Sequence, residues 1–329
     1  MKTLVTGGAG FIGSHLTEAL LERGDEVIVI DDASTGSFEN LTSVMSHPRL
    51  TCIHKSVKDV DLAVQVLADV NEVYHLAAAV GVALIAEQPI QSIKRNIYPT
   101  QLLLDELVRL NQKDGHQRRF FLASSSEVYG KNPRPRWVEE DDLVFGSTSR
   151  SRWSYGVSKA IDEFLALACF REHDLPLVIG RFFNVVGPRQ TGAYGMVLPR
   201  FIEAALDGQP VIVHDDGQQE RCFAHVSDVV LAVTTLMATP SASGQVFNIG
   251  SDVPVSILEL ARRVVAMANS ASNIDFQSYG DAYGSDFEDI RRRVPDLSRL
   301  KSTINFQPQY KLDDIIQELI ESKGIDTNS

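Results

Sequence analysis

The run Gly7-Gly8-Ala9-Gly10-Phe11-Ile12-Gly13 limits this chain's choice of fold more than any other feature. It follows Leu4-Val5-Thr6, a short buried-strand pattern, and precedes a helical pattern from Ser14 to Arg23 that Gly24 closes; Glu26 to Ile30 then reads as a second strand. Together they make a βαβ unit. At its turn a dinucleotide pyrophosphate can rest on free backbone amides and the positive end of the helix dipole. Gly7, Gly10 and Gly13 let the backbone come close, and Phe11 and Ile12 open the helix beside them. About twenty residues further on, Asp31 ends the second strand, where a carboxylate accepts hydrogen bonds from ribose hydroxyls and repels a 2′-phosphate. This predicts NAD rather than NADP as cofactor, with the adjacent Asp32 as the alternative ribose partner.

Strand patterns at Glu72 to Leu76, Arg119 to Ala123 and Leu177 to Gly180 alternate with helical patterns around Thr100 to Leu110 and Tyr155 to Phe170. Such alternation implies an α/β fold with a doubly wound, Rossmann-like parallel sheet. Beyond Arg181 the pattern loosens, with Pro188, Pro199, Pro210 and Pro240 interrupting short elements. A capping box at Ser256-Ile257-Leu258-Glu259 opens one later helix, and Leu312, Ile315, Ile316, Leu319 and Ile320 give a final amphipathic one. The expected organisation is a cofactor domain over residues 1–180 and a smaller α/β substrate-binding domain over 181–329, with some chain returning to the sheet. Glu139-Glu140-Asp141-Asp142 is expected to be a solvated acidic loop.

Composition excludes several classes. A net charge of -12 argues against nucleic acid or an anionic membrane as the main partner, so any phosphate site must be local. Cys52, Cys169 and Cys222 form neither an even disulfide framework nor a metal-binding pair, which points to a reducing compartment, the cytoplasm, and to no metal. No run of eighteen apolar residues is present, so no membrane span or leader is expected.

Tyr155-Gly156-Val157-Ser158-Lys159 places a phenol and an ammonium on one helical face. An ammonium beside a phenol favours the phenolate and lowers a pKa that is ordinarily about 10, which would suit Tyr155 to take a hydroxyl proton while hydride leaves the same carbon. The strand ending at Ala123 delivers Ser124, Ser125 and Ser126 to the carboxyl edge of the sheet, where ligands bind in open α/β folds.

With His75-Leu76-Ala77-Ala78, Asn96 and Thr100, the stretch Arg181-Phe182-Phe183-Asn184-Val185-Val186-Gly187-Pro188-Arg189, and Phe247-Asn248-Ile249-Gly250, these residues resemble the extended short-chain dehydrogenase/reductase family over nearly the whole chain. The resemblance implies NAD, a nucleotide diphosphate sugar (a UDP-sugar) as substrate, oxidation of that sugar at C4, and a homodimer. It places Ser125 with Tyr155 and Lys159 as the catalytic triad. Ser56, Val57, Leu76, Ala77, Ala78 and Asn96 fall at cofactor contacts, although many relatives have an acidic residue where this chain has Ser56-Val57. Asn184, Arg189, Arg221 and Arg293 fall against the sugar nucleotide, the last two as clamps for its diphosphate.

Glu127 bears on the reaction that follows oxidation. A 4,6-dehydratase of this family carries Asp-Glu before Val-Tyr-Gly, and here Ser126 replaces the aspartate. UDP-glucuronate decarboxylases carry Ser-Glu-Val-Tyr-Gly, as Ser126 to Gly130 do; Arg152-Trp153-Ser154-Tyr155 and Arg221-Cys222-Phe223 also look like a decarboxylase. Glu127 would repel a substrate carboxylate or orient water toward C5. UDP-hexose 4-epimerase is the alternative, and a non-catalytic NAD-binding sensor the remote one.

Overall fold

The computed structural model describes residues 1–79, 89–192, 196–283 and 290–326. Six strands from the first half, β1 (Lys2–Thr6), β2 (Glu26–Asp31), β3 (Leu50–His54), β4 (Glu72–His75), β5 (Arg119–Ser125) and β6 (Leu177–Phe182), share one sheet with the later strand Gln245–Ile249. From one edge the order is Gln245–Ile249, β6, β5, β4, β1, β2, β3, and every pairing is parallel. The chain runs outward from β1 to β3 and then returns to place β4 on the other side of β1. That reversal opens a crevice at the carboxyl ends of β1 and β4.

Successive strand residues point to opposite faces, and here both faces are dry. Val5, Val27, Val29 and Phe121 pack against helix α1 (Phe11–Glu22) and the Val226–Ala238 helix. Leu4, Ile28, Val73, Phe120 and Leu122 face the opposite layer of α2 (Val60–Asp69), α3 (Pro89–Asp114) and α4 (Trp153–His173). This two-sided burial is why the strands read as apolar runs rather than alternating ones.

The helix expected from Thr100 starts at Pro89, because Pro99 sits inside it rather than ending it. Its missing N–H costs one backbone bond, and the hydroxyl of Thr100 bonds back to the Asn96 carbonyl at 3.0 Å. In the second half, Glu220–Cys222 pairs on one side with Pro254–Ser256 and on the other with Arg292–Arg293. Ser256 caps the Ile257–Met267 helix through the Glu259 amide at 3.1 Å, as its capping box predicts. The Val226–Ala238 helix and the Gln245–Ile249 strand return to the main sheet and its core.

The acidic run at 139–142 is not simply solvated. Glu139 is buried and accepts the Asn248 amide at 2.8 Å, and Asp141 is buried against Arg134 and the Val138 amide, whereas Glu140 and Asp142 are exposed. Two of the four carboxylates replace water with hydrogen-bond donors of the fold, which composition alone does not reveal.

Candidate active site

A cleft of about 1340 Å³ opens over the carboxyl ends of the strands. Its cofactor side is made by backbone. Gly7 has φ +74 and donates its N–H to Ile30 O at 2.9 Å, while a Cβ on Gly13 would lie 2.1 Å from Gly7 O. Gly10 is the N-cap of α1, extended and without a side-chain cap, so the amides of the first turn stay open to the cleft. Open amides at the positive end of a helix favour an anion, and the site therefore fits a pyrophosphate.

Asp31 and Asp32 both line this end. Asp31 accepts the amides of Ala9 (3.0 Å) and Ala33 (2.8 Å), yet its burial outweighs them and pushes its pKa above the ordinary value. Asp32 differs: against the opposing effect of burial, bonds from Ser34 and the charges of Arg95 and Lys58 hold its carboxyl low. Ser56, Val57, Leu76, Ala77 and Ala78 complete the wall with Phe11 and Ile12. Asn96 does not reach the cleft. It is fully buried and its Oδ1 accepts the Ala79 amide at 2.8 Å, so it acts on the lining only through that backbone.

Tyr155, Lys159, Ser125, Ser126 and Glu127 meet on the cleft floor. Ser125 hydrogen-bonds Tyr155 and also accepts the Glu127 amide at 3.2 Å, whereas Ser124 turns away to Glu163 at 2.5 Å. The expected lowering of the phenol's pKa is not met in this state. Burial pushes the Tyr155 phenol up, the carboxylates of Glu127 and Asp162 add to this, and the Ser125 bond only partly offsets it. Lys159 is buried and its Nζ faces Asp162 Oδ2 at 3.4 Å, so its charge is shared before it acts on the phenol.

The opposite wall comes from the second half. Parallel pairing of Glu220–Cys222 with Arg292–Arg293 sets Arg221 directly beside Arg293, and both line the cleft. Glu127 is held from two sides: Arg152 Nη1 lies 3.2 Å from its Oε2, and Arg293 Nη1 bonds its Oε1. Each oxygen of Glu127 thus faces a guanidinium, which tempers the repulsion expected between it and a substrate carboxylate. Asn184 lines the cleft and donates to Cys222 O at 2.8 Å. Arg189 also lines it, but its guanidinium grips Glu18 at 2.7 and 2.9 Å and Ser14 at 3.1 Å.

Arg152 as a Glu127 partner and Asp162 as a Lys159 partner were not among the expected site residues. The signal was present in the spacing, since Arg152 lies three residues before Tyr155 and Asp162 three after Lys159, on the same helical face. Among the described residues no cluster of His, Cys, Asp and Glu could hold a metal, and no helix is long and apolar enough to cross a membrane.

Comparison with known proteins gives a consistent picture. A family model described as GDP-mannose 4,6 dehydratase matches residues 4–319. UDP-N-acetyl-alpha-D-glucosaminuronate decarboxylase of Bacillus cytotoxicus is 37% identical over 324 residues, covering 97% of this chain and 97% of that protein. UDP-glucuronic acid decarboxylase 1 of Arabidopsis thaliana is 33% identical, covering 95% of this chain and 67% of that protein. Among solved structures, a UDP-glucuronic acid 4-epimerase variant of Bacillus cereus, in complex with NAD and a fluorinated UDP-glucuronic acid, superposes with a TM-score of 0.87 at 29% identity, covering 99% of this chain and 100% of that one.

Proposed function

Because the chain belongs to the GDP-mannose 4,6 dehydratase family, within the extended short-chain dehydrogenase/reductases, we propose that it is an NAD-dependent UDP-hexuronate decarboxylase that works by oxidising its sugar at C4. The carrying observation is Glu127 bracketed by Arg152 and Arg293 on the cleft floor. Arg152 brings a guanidinium to the floor beside Tyr155, where a uronate carboxylate would lie, and an arginine fork suits carboxylate oxygens. The relatives from Bacillus cytotoxicus and Arabidopsis thaliana, both decarboxylases of UDP-uronates by name, support the same reading.

The residues divide the work. The open amides after Gly10, with Asp31 and Asp32 at the ribose end, hold the dinucleotide. Bound there, NAD would supply a hydride acceptor for sugar C4 and a positive charge to the cleft. Tyr155, steadied by Ser125, takes the C4 hydroxyl proton. The resulting 4-keto acid carries its carboxylate β to the ketone, so the C5–C6 bond breaks with its electrons entering an enolate on C5, C4 and O4. Tyr155 holds O4, and Arg221 and Arg293 hold the diphosphate end. A water oriented by Glu127 protonates C5, Tyr155 returns its proton to O4, and a hydride given back at C4 would complete a UDP-pentose.

UDP-sugar 4-epimerase is the second reading, favoured by the superposition on the Bacillus cereus epimerase. A non-catalytic sensor has little support, since Tyr155 and Lys159 both stand in the cleft. Exposed Tyr98 on α3 and Ile161 and Phe164 on α4 support a homodimer through these helices, which sedimentation would test. For the reaction, the protein is incubated separately with UDP-glucuronate, UDP-N-acetylglucosaminuronate, UDP-glucose and UDP-galactose. Carbon dioxide with a UDP-pentose from a uronate is expected; interconversion of epimers without loss of mass would overturn decarboxylation in favour of epimerisation.

A further inference from the structure

Lys159, expected to act on the Tyr155 phenol, also has an ion-pair partner of its own. Three residues further along α4, Asp162 is completely buried, and its Oδ2 faces the lysine ammonium at 3.4 Å. The other carboxylate oxygen, Oδ1, is buried without a hydrogen-bond partner. The Thr100 hydroxyl on α3 lies near enough to lower the Asp162 pKa, but its hydrogen bond at 3.0 Å goes to Asn96 O.

Behind Thr100 lies a chain of buried polar groups. His75 Nε2 meets the Thr100 hydroxyl at 3.2 Å, and its Nδ1 meets the Thr6 hydroxyl at 2.6 Å; Thr6 in turn receives the Ala77 amide at 3.3 Å on the cofactor side. Burial, helped by the Lys159 charge, pulls the His75 pKa down to about 3, so the ring is neutral. With Thr6 donating to Nδ1, the assigned tautomer carries its proton on Nε2 and donates to Thr100. The carboxylate therefore faces one cation, Lys159, and one second carboxylate, Glu163, which Arg181 already neutralises.

We propose that Asp162 is a positioning residue for the reaction: its carboxylate, pressed against Lys159 in a dry pocket, fixes the ammonium and subtracts from the positive field that the ammonium applies to the Tyr155 phenol. An ion pair with one unsatisfied oxygen is a costly thing to bury if rigidity alone were required. What it provides is an adjustable charge. Burial pushes the Asp162 carboxyl up to about 6 despite Lys159, so the carboxyl is ionised at neutral pH and takes up a proton under mildly acid conditions. When it does, Lys159 acts on the phenol undivided. The inference rests on the reading of Tyr155 as the base and not on which sugar is turned over.

The test compares Asp162→Asn and Asp162→Ser with the native protein, each with NAD bound and checked for folding by its melting curve. Phenolate absorbance is titrated against pH, with Tyr155→Phe as the background that isolates Tyr155. Removing a charge at this range from a phenol should move its titration to lower pH by about one unit. The basic-group limb of the kcat profile should move in the same direction, while KM for the UDP-sugar changes less than about twofold. A titration that is unchanged in both variants, or that moves to higher pH, overturns the role of Asp162. If the native protein and Tyr155→Phe titrate identically, it is the reading of Tyr155 that fails.

Discussion

The two sides of the cleft are built by different means. The cofactor side is one continuous stretch, from Gly7 to Gly13, in which the missing side chains do the shaping: a Cβ on Gly13 would strike Gly7 O, and the N-cap Gly10 leaves the helix amides open. The substrate side is assembled from Glu127, Arg152, Arg221 and Arg293, residues far apart in the chain that meet through α4 and the pairing of Glu220–Cys222 with Arg292–Arg293. Backbone shape serves a ligand group common to a whole family, the pyrophosphate. Side-chain charge is proposed to serve the sugar nucleotide, whose sugar varies. Changes on the two sides should therefore fail differently, in cofactor retention on one and in substrate choice on the other.

The sharpest break in that contrast is expected at Glu127. Glu127→Gln keeps the shape but removes the anion that Arg152 and Arg293 bond and the carboxylate that would orient water toward C5. On a UDP-uronate kcat should fall about a hundred-fold, in the range of a lost acid or base group. NAD content of the purified protein should not change, and any loss on a UDP-hexose should be smaller. Glu163 makes the instructive control, because it too is gripped by an arginine, Arg181, but inside a closed network with Ser124 rather than at the cleft. Equal losses on uronate and hexose would put Glu127 in the same scaffold class and erase the distinction between the two sides.

Next in size is Gly13→Ala. The added carbon would lie 2.1 Å from Gly7 O and 2.8 Å from Gly8 Cα, both backbone atoms, so the turn itself must open. Overpacking of this kind costs about 1–3 kcal/mol, and equilibrium dialysis should show NAD binding weakened by roughly ten- to a hundred-fold. The ratio of activity on different sugars should stay as in the native protein. A change in that ratio would mean that the turn also shapes the substrate wall.

This contrast also explains what the sequence could reveal. The glycine turn and Asp31 lie within one βαβ unit, so spacing alone located them; the five central strands were legible as apolar runs because both faces are covered, whereas the edge strands Leu50–His54, only partly buried, and Gln245–Ile249 were not. The first turns of the Pro89–Asp114 helix were missed, since the helix reaches through Pro99 well before Thr100. The pairing of Arg221 with Arg293 could be anticipated only from family resemblance, because no periodicity links strands about seventy residues apart. The state of Tyr155 was not legible at all. A tyrosine and a lysine at helical spacing suggest a lowered phenol pKa, but burial, Glu127 and Asp162 oppose it, and none of these can be weighed without knowing what lies around the ring.

The smallest expected effect lies at Arg189, which joins the two sides. It follows Gly187-Pro188 in the substrate half, yet its guanidinium reaches back to Glu18 and Ser14 on α1, the helix that starts at the glycine turn. Bonds from Arg189 and Ser43 hold the Glu18 carboxyl below its ordinary range, although burial works in the opposite direction. A depressed carboxyl stabilises the fold above its unfolded pKa and loses that contribution as pH falls through its folded value. Arg189→Gln should therefore cost about 1 kcal/mol in denaturant unfolding at pH 7, a partly exposed pair being worth no more, and the difference should fade below about pH 4. KM for the UDP-sugar should change less than about twofold, because the guanidinium is already committed to α1. A tenfold rise in KM at unchanged stability would instead show that Arg189 leaves Glu18 when substrate arrives, which would move it from the frame joining the two sides into the substrate wall itself.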